Sequence, residues 1–167
     1  MMLQISGTVN DSIVDGPGLR FTVFVQGCPH HCTGCHNPQT HPFEGGTTMD
    51  TAALLEKIRS NPLLDGVTFS GGEPFCQAEA LAALGAHIRK MGLNIMTYTG
   101  YTFEYLFEHR HEQHYGDLLS VTDWLVDGPF LEEQKSYQLR FKGSANQRIL
   151  DVPKSLTMGK AMEAEEL

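Results

Sequence analysis

The chain has 167 residues, enough for one domain with a substantial core, and a formal net charge of −8 from 20 acids against 12 Lys and Arg. That balance excludes a nucleic-acid backbone as partner, because phosphate contacts need clustered cations, while small nucleotide ligands stay open. The opening MMLQISGTVND has no basic stretch followed by an apolar run, and no segment approaches membrane-spanning length. A cytoplasmic protein without membrane association is therefore expected. In that compartment four cysteines read as ligands or reactive thiols rather than disulfides.

The predicted elements begin with RFTVFVQ (20–26), a β-branched and aromatic strand ended by Gly27. A helix follows over 50–60, with Leu54, Leu55 and Ile58 on one face. GVTFS (66–70) is a second strand, stopped by Gly71 and Gly72. Leu81, Leu84 and Ile88 recur at helical spacing over 77–91, and Gly92 supplies a C-cap. LNIMTY (93–98) is a third strand that ends at Thr99 and Gly100. A helix over 102–109 and a short one through Leu118 and Leu119 come next, with His109, His111 and His114 on a solvated surface. DWLVD (123–127) is a fourth strand, stopped by Gly128 and Pro129, and QRILDV (147–152) a fifth. The acidic end belongs to a flexible tail over about 153–167, and residues 1–167 read as a single domain.

Alternating strands and helices imply right-handed crossovers and an α/β fold. A complete eight-unit barrel needs roughly 250 residues, so the expected fold is a partial (β/α) barrel or an open curved, mainly parallel sheet with helices on its outer face. In such a sheet the loops after the strands leave from one edge, where ligands bind. Four polar loops follow the first four strands: the cysteine loop, SGGEP, TGY and DGP. They are expected to surround one pocket.

The cysteine loop, GCPHHCTGCHNP, places Cys28, Cys32 and Cys35 at C-x3-C-x2-C spacing. Zinc is one reading, with Cys28, Cys32 and Cys35 completed by His30, His31, His36 or His41. An iron–sulfur cluster is another, since clusters take thiolates from closely spaced runs. Three thiolates on a cubane would leave one iron free for a small molecule. Unligated core cysteines fit poorly among so many polar neighbours. Cys76 stands apart and reads as a buried or half-buried free thiol.

The cysteine spacing after a first strand, followed by Gly-Gly-Glu-Pro after a second, resembles the radical S-adenosylmethionine (SAM) superfamily. VDGPGLRFTVFVQGC (14–28), CHN (35–37) and SGGEP (70–74) are similar to the glycyl-radical enzyme activases within it. TYTGYT (97–102), LVDGPF (125–130) and KGSANQRILD (142–151) resemble the short branch that serves anaerobic ribonucleoside-triphosphate reductase. The resemblance implies a [4Fe–4S] cluster on Cys28, Cys32 and Cys35, with the fourth iron open to the amine and carboxylate of SAM. It implies reductive cleavage of SAM and removal of a hydrogen atom from a glycine of the partner. The partner would be the glycyl-radical subunit of the reductase, and the donor reduced flavodoxin or a similar low-potential protein.

The resemblance also assigns SAM contacts: Gly71, Gly72 and Glu73 for the amino group, and Gly34, Cys35 and His36 around the last ligand and the adenine. Gly34 stands where many relatives have an aromatic residue. Thr97, Thr99 and Gly100 fall where ribose or carboxylate could bond, and Asp127 ends the fourth strand without the lysine that longer activases carry nearby. Asn146 and Arg148 could approach the SAM carboxylate or the partner's glycine loop. The loop Asp15, Gly16, Pro17, Gly18 would lie by the open side of the site, and Arg20 would be an ion-pair residue. Rival readings are an activase of the pyruvate formate-lyase type and, from a different class, a zinc-binding adaptor without turnover.

Overall fold

A computed structural model describes residues 1–35, 37–165 and 167. In chain order the elements are β1 (Met2–Ser12), β2 (Arg20–Val25), β3 (Thr47–Asp50), α1 (Thr51–Arg59), β4 (Gly66–Gly71) and α2 (Ala78–Lys90). They continue with β5 (Asn94–Tyr98), α3 (Phe103–Glu108), α4 (Tyr115–Val121), β6 (Trp124–Asp127), β7 (Arg148–Asp151) and α5 (Val152–Met158). The strands form one sheet in the order β3-β1-β2-β4-β5-β6-β7. Its centre, β2-β4-β5-β6, is parallel, and antiparallel strands close both sides.

Side chains alternate across each strand, and here the two faces differ in chemistry. Phe21, Val23, Val25, Val67, Phe69, Ile95 and Leu125 join the core, packed by Leu54 and Ile58 of α1, Leu81, Leu84 and Ile88 of α2, and Leu118 and Leu119 of α4. Each such side chain, fully buried, contributes about 1.5–3 kcal/mol. The opposite face carries Arg20, Thr22, Thr68 and Tyr98, and the 13–18 loop folds onto it. Asp15 accepts from Ser12 Oγ (2.5 Å) and Thr22 Oγ1 (3.1 Å), and its carbonyl accepts from Thr68 Oγ1 (2.8 Å).

Among the described residues Arg20 makes no ion pair, and its partners are neutral oxygens. Fully buried, it donates to Thr68 Oγ1 (2.7 Å), the Pro17 carbonyl (2.9 Å), Asn94 Oδ1 (2.7 Å) and the Val67 carbonyl (2.9 Å). Burial lowers its pKa to about 10, so it stays cationic at neutral pH while tying three strands and the 13–18 loop together.

Three of the helices, α1, α3 and α5, start where capping side chains stand. Asp50 accepts from Ala52 N, Thr102 from Tyr105 N and Asp151 from Lys154 N, each satisfying a free amide of a first turn.

The N-terminal strand β1, the short edge strand β3 and α5 had no expectation in the sequence. The chain after 152 is not a free tail. It forms α5, then returns along β7, with Asp151 N bonded to the Met162 carbonyl (2.9 Å) and Ala164 N to the Ile149 carbonyl (2.9 Å). Among the described residues no helix is long and apolar enough to cross a membrane.

Candidate functional site

The loops that follow β2, β4, β5 and β6 meet at the carboxyl edge of the parallel strands. They wall a cleft of about 400 Å³, of the size that holds a small-molecule ligand. Cys28, Cys32 and Cys35 line it from the first loop, Ser70 to Gly72 from the second, Tyr98 to Gly100 from the third and Gly128 from the fourth. Val14 and Asp15 and residues of the 136–143 segment complete the lining.

All four cysteines are free thiols, and three of them share this cleft. Cys28 is buried at 8 % exposure, and burial pushes its thiol up to about 11. A thiolate at that position needs a cationic partner to offset desolvation, which iron supplies. Three soft donors beside an open cleft therefore fit an iron–sulfur cluster with room for a second ligand. Among the described residues no three His, Cys, Asp or Glu side chains are gathered closely enough to hold a single metal ion.

Glycine at 71 and 72 follows from close packing. Gly71 has φ +96°, and a Cβ there would stand 2.6 Å from Val25 N. A Cβ at Gly72 would collide with the Gly27 carbonyl. Gly72 N donates to the Val25 carbonyl (2.8 Å) and Glu73 N to the Gly27 carbonyl (2.8 Å), so the SGGEP loop is bonded directly to the start of the cysteine loop.

Glu73 is fully buried and does not line the cleft. Its carboxylate accepts from His30 Nε2 (2.6 Å), Thr99 Oγ1 (2.9 Å to each oxygen), Gly100 N (2.8 Å) and Phe75 N (3.1 Å). One side chain thus ties together the loops after β2, β4 and β5. With its oxygens so engaged, Glu73 positions the walls rather than touching a ligand with its carboxylate. His30 also packs edge-on against Tyr101, 4.6 Å between ring centres.

Several other expected contacts sit elsewhere. Thr97 lies on the same side of β5 as Ile95, facing the helices, and its hydroxyl meets Thr122 Oγ1 at 2.9 Å. Asp127 shares the helix-facing side of β6 with Leu125. It accepts from Phe103 N (2.8 Å) at the start of α3 and from Arg148 Nε (3.0 Å) and Nη2 (2.5 Å). Arg148 reaches on to Glu104 Oε1 (2.6 Å), and the two carboxylates raise its pKa further. Its charge is used between β6, β7 and α3, so Arg148 is not offered to the cleft. Asn146 bonds the Pro129 carbonyl (2.8 Å) and Ser144 Oγ (2.6 Å). Gly34, at φ +75°, faces the Glu132 side chain. His36 lies outside the described residues. Cys76 is exposed, not buried, although its sulfur is partly desolvated and its thiol pushed up to about 11; it borders a separate groove with Gln77 and His114.

The cleft also has a cover that apolar periodicity does not reveal. Phe130, Tyr137, Leu139, Phe141 and Lys142 face the cleft from the chain between β6 and β7. Tyr98 Oη donates to the Phe141 carbonyl (2.6 Å), and Gln147 accepts from Gly143 N (2.9 Å) while donating to the Gly128 carbonyl (3.0 Å). The signal was present in LVDGPF and KGSANQR, whose residues form this latch.

Residues 14–150 match the family described as a 4Fe-4S single cluster domain. The anaerobic ribonucleoside-triphosphate reductase-activating protein of Haemophilus influenzae is 33% identical over 147 residues, covering 82% of this chain and 90% of that protein. The protein of the same name from Vibrio cholerae is 37% identical over 147 residues, with the same coverage. The chain belongs to this family of activating proteins. The pyruvate formate-lyase-activating enzyme of Clostridium pasteurianum is 39% identical over 99 residues, which span 56% of this chain and 42% of that enzyme. Membership of the activating-protein family implies a [4Fe–4S] cluster and SAM, and Cys28, Cys32 and Cys35 fit the C-x3-C-x2-C ligand pattern.

Proposed function

We propose that this protein activates anaerobic ribonucleoside-triphosphate reductase by generating a glycyl radical on it. It would act in the cytoplasm, with reduced flavodoxin or a similar low-potential protein as donor. The observation that carries the reading is the convergence of three free cysteines and the Gly71-Gly72 backbone on one cleft in a chain of this family. Cys28, Cys32 and Cys35 would hold the cluster, and Gly71, Gly72, Thr99 and Gly100 would meet SAM. Held there, such a cluster, once reduced by the external donor, would supply the one electron needed for SAM cleavage.

The chain's own residues orient and exclude. Glu73 fixes the spacing of three walls through five hydrogen bonds from four donors, so ligands on different loops keep one geometry. Absence of side chains at positions 71 and 72 lets this loop pack against Val25 and Gly27 beside the cleft, where its backbone carbonyls would accept from a ligand's ammonium. Phe130, Leu139 and Phe141 place apolar surface over the cleft, which limits water around a reactive species. Tyr98 and Gln147 hold that cover down.

Anaerobic reconstitution with iron and sulfide, followed by SAM, a reductant and the reductase, tests the reading by electron paramagnetic resonance. A glycine-centred radical on the reductase is expected, with little or none on pyruvate formate-lyase. The reverse preference would support the pyruvate formate-lyase type, which the match to the Clostridium enzyme keeps in view. Zinc without iron or sulfide, and no radical on either partner, would support an adaptor instead.

A further inference from the structure

A stretch that runs from Lys135, between β6 and β7, to Arg148 at the start of β7 differs in charge from the rest of the chain. Residues 135–148 hold Lys135, Arg140, Lys142 and Arg148 and no acid, while the rest of the chain has eight Lys and Arg against twenty acids, a formal −12. Arg148 is neutralised by Asp127 and Glu104. Among the described residues Lys135, Arg140 and Lys142 make no ion pair with a carboxylate; Lys142 Nζ donates to the Gln147 carbonyl (3.0 Å). Glu132 and Glu133 precede the segment in a short 3-10 turn, and Glu132 turns toward Gly34 of the cysteine loop.

Two of the cations lie on aromatic rings, one exposed and one half-buried. Lys135 Nζ is 4.8 Å from the Tyr137 ring centre, and the Arg140 guanidinium carbon is 4.7 Å from that of Phe141. Two exposed apolar side chains, Tyr137 and Val14, line the same cleft, and exposed Ile13 precedes Val14 in the chain. Among the described residues Tyr137 is the most exposed large apolar side chain at 84 %, and Ile13 and Val14 are exposed at 73 % each. Tyr137 comes from the chain between β6 and β7 and Val14 from the loop between β1 and β2. Aromatic and aliphatic anchors beside arginine are the chemistry of energetically dominant interface positions.

Resting on the function proposed above, we infer that Lys135 and Arg140, with Tyr137, Ile13 and Val14, form the docking rim for the polypeptide substrate, and that the substrate meets it with an acidic surface beside its reactive glycine. Elsewhere an acidic partner meets net negative charge and is repelled. The acid-free stretch from Lys135 attracts it, so the field would favour encounters that bring the cleft mouth to the glycine. The apolar anchors then hold the docked complex, and the latch through Tyr98 and Gln147 gives the rim a fixed base.

The test uses the reconstituted protein and the reductase. Lys135 and Arg140 do not line the cleft, so K135E/R140E leaves the cofactor walls intact. Affinity for the reductase should fall by about tenfold or more, with a shallower salt dependence, and Ile13→Ser should weaken binding without changing that dependence. Glycyl-radical formation at limiting reductase should fall in parallel, while SAM cleavage without the reductase stays at the wild-type rate. Unchanged affinity and salt dependence for K135E/R140E would overturn the docking rim. So would a parallel loss of reductase-free SAM cleavage, which would make these residues part of the cofactor site. A wild-type protein that binds no reductase would overturn the functional reading itself, whereas a wild-type complex that the variants fail to weaken would overturn the rim alone.

Discussion

Glu73 shows how much one side chain can hold. Its buried carboxylate serves four donors from three loops. Glu73→Gln keeps the shape but turns one acceptor oxygen into a donor amide facing other donors. Urea unfolding should show a loss of about 2–3 kcal/mol, and the reconstituted variant should retain less iron. Cys28→Ala, Cys32→Ala and Cys35→Ala should each abolish stoichiometric cluster incorporation, read by absorbance and iron content, whereas Cys76→Ala should leave the cluster spectrum unchanged. At this scale the sequence was legible where chemistry is local. The three cysteines and two glycines announce themselves by spacing. The roles of Thr97 and Asp127 do not, because a polar residue at a strand end reads the same whether it faces a ligand or a helix. Strand parity resolves the matter: Thr97 falls in step with Ile95, and Asp127 with Leu125, both core residues on the helical side. Arg148 pairs with Asp127 across β6 and β7, a register that only the folded sheet reveals.

Among the elements, the contact between the SGGEP loop and the cysteine loop is the most sensitive. Gly72→Ala would drive a Cβ into the Gly27 carbonyl, so the two loops must separate. A stability loss of about 1–3 kcal/mol is expected in denaturant titration, together with weaker SAM binding. The tie between α3 and β7 should show in acid. The hydrogen bond from Arg148 holds Glu104 below its ordinary 4.5, so the folded state binds that proton less readily than the unfolded chain. The pair therefore stabilises above pH 4.5 and loses its contribution as pH falls through the lowered value. Glu104→Gln should flatten that part of the acid unfolding curve, by at most about 1 kcal/mol because Glu104 is largely exposed. The central strands and α1 to α4 were legible from apolar periodicity and glycine stops. β1 was not, since MLQISGTVNDS mixes Gly, Ser, Asn and Asp with few apolar residues, and only Leu3 and Ile5 show the core face. α5 was hidden in a charged C-terminal stretch, where its Asp151 cap and Pro153 were the signs available.

For the whole molecule, topology does the gathering. Parallel strands β2, β4, β5 and β6 all deliver their following loops to one edge, so residues more than a hundred positions apart share a cleft. That convergence could be deduced from strand order. The cover between β6 and β7 could not, because its shape depends on hydrogen bonds among Tyr98, Phe141, Gly143 and Gln147 rather than on apolar periodicity. The central claim is that three thiolates hold a cluster and leave one iron accessible to SAM inside this cleft. The most direct measurement is the spin-resonance signal of the anaerobically reconstituted, reduced cluster before and after adding SAM. A cubane's iron and sulfide per chain, with a signal that shifts when SAM binds, is the expected result. A fully loaded cluster whose signal ignores SAM, or a protein that takes up zinc and no iron, would contradict it.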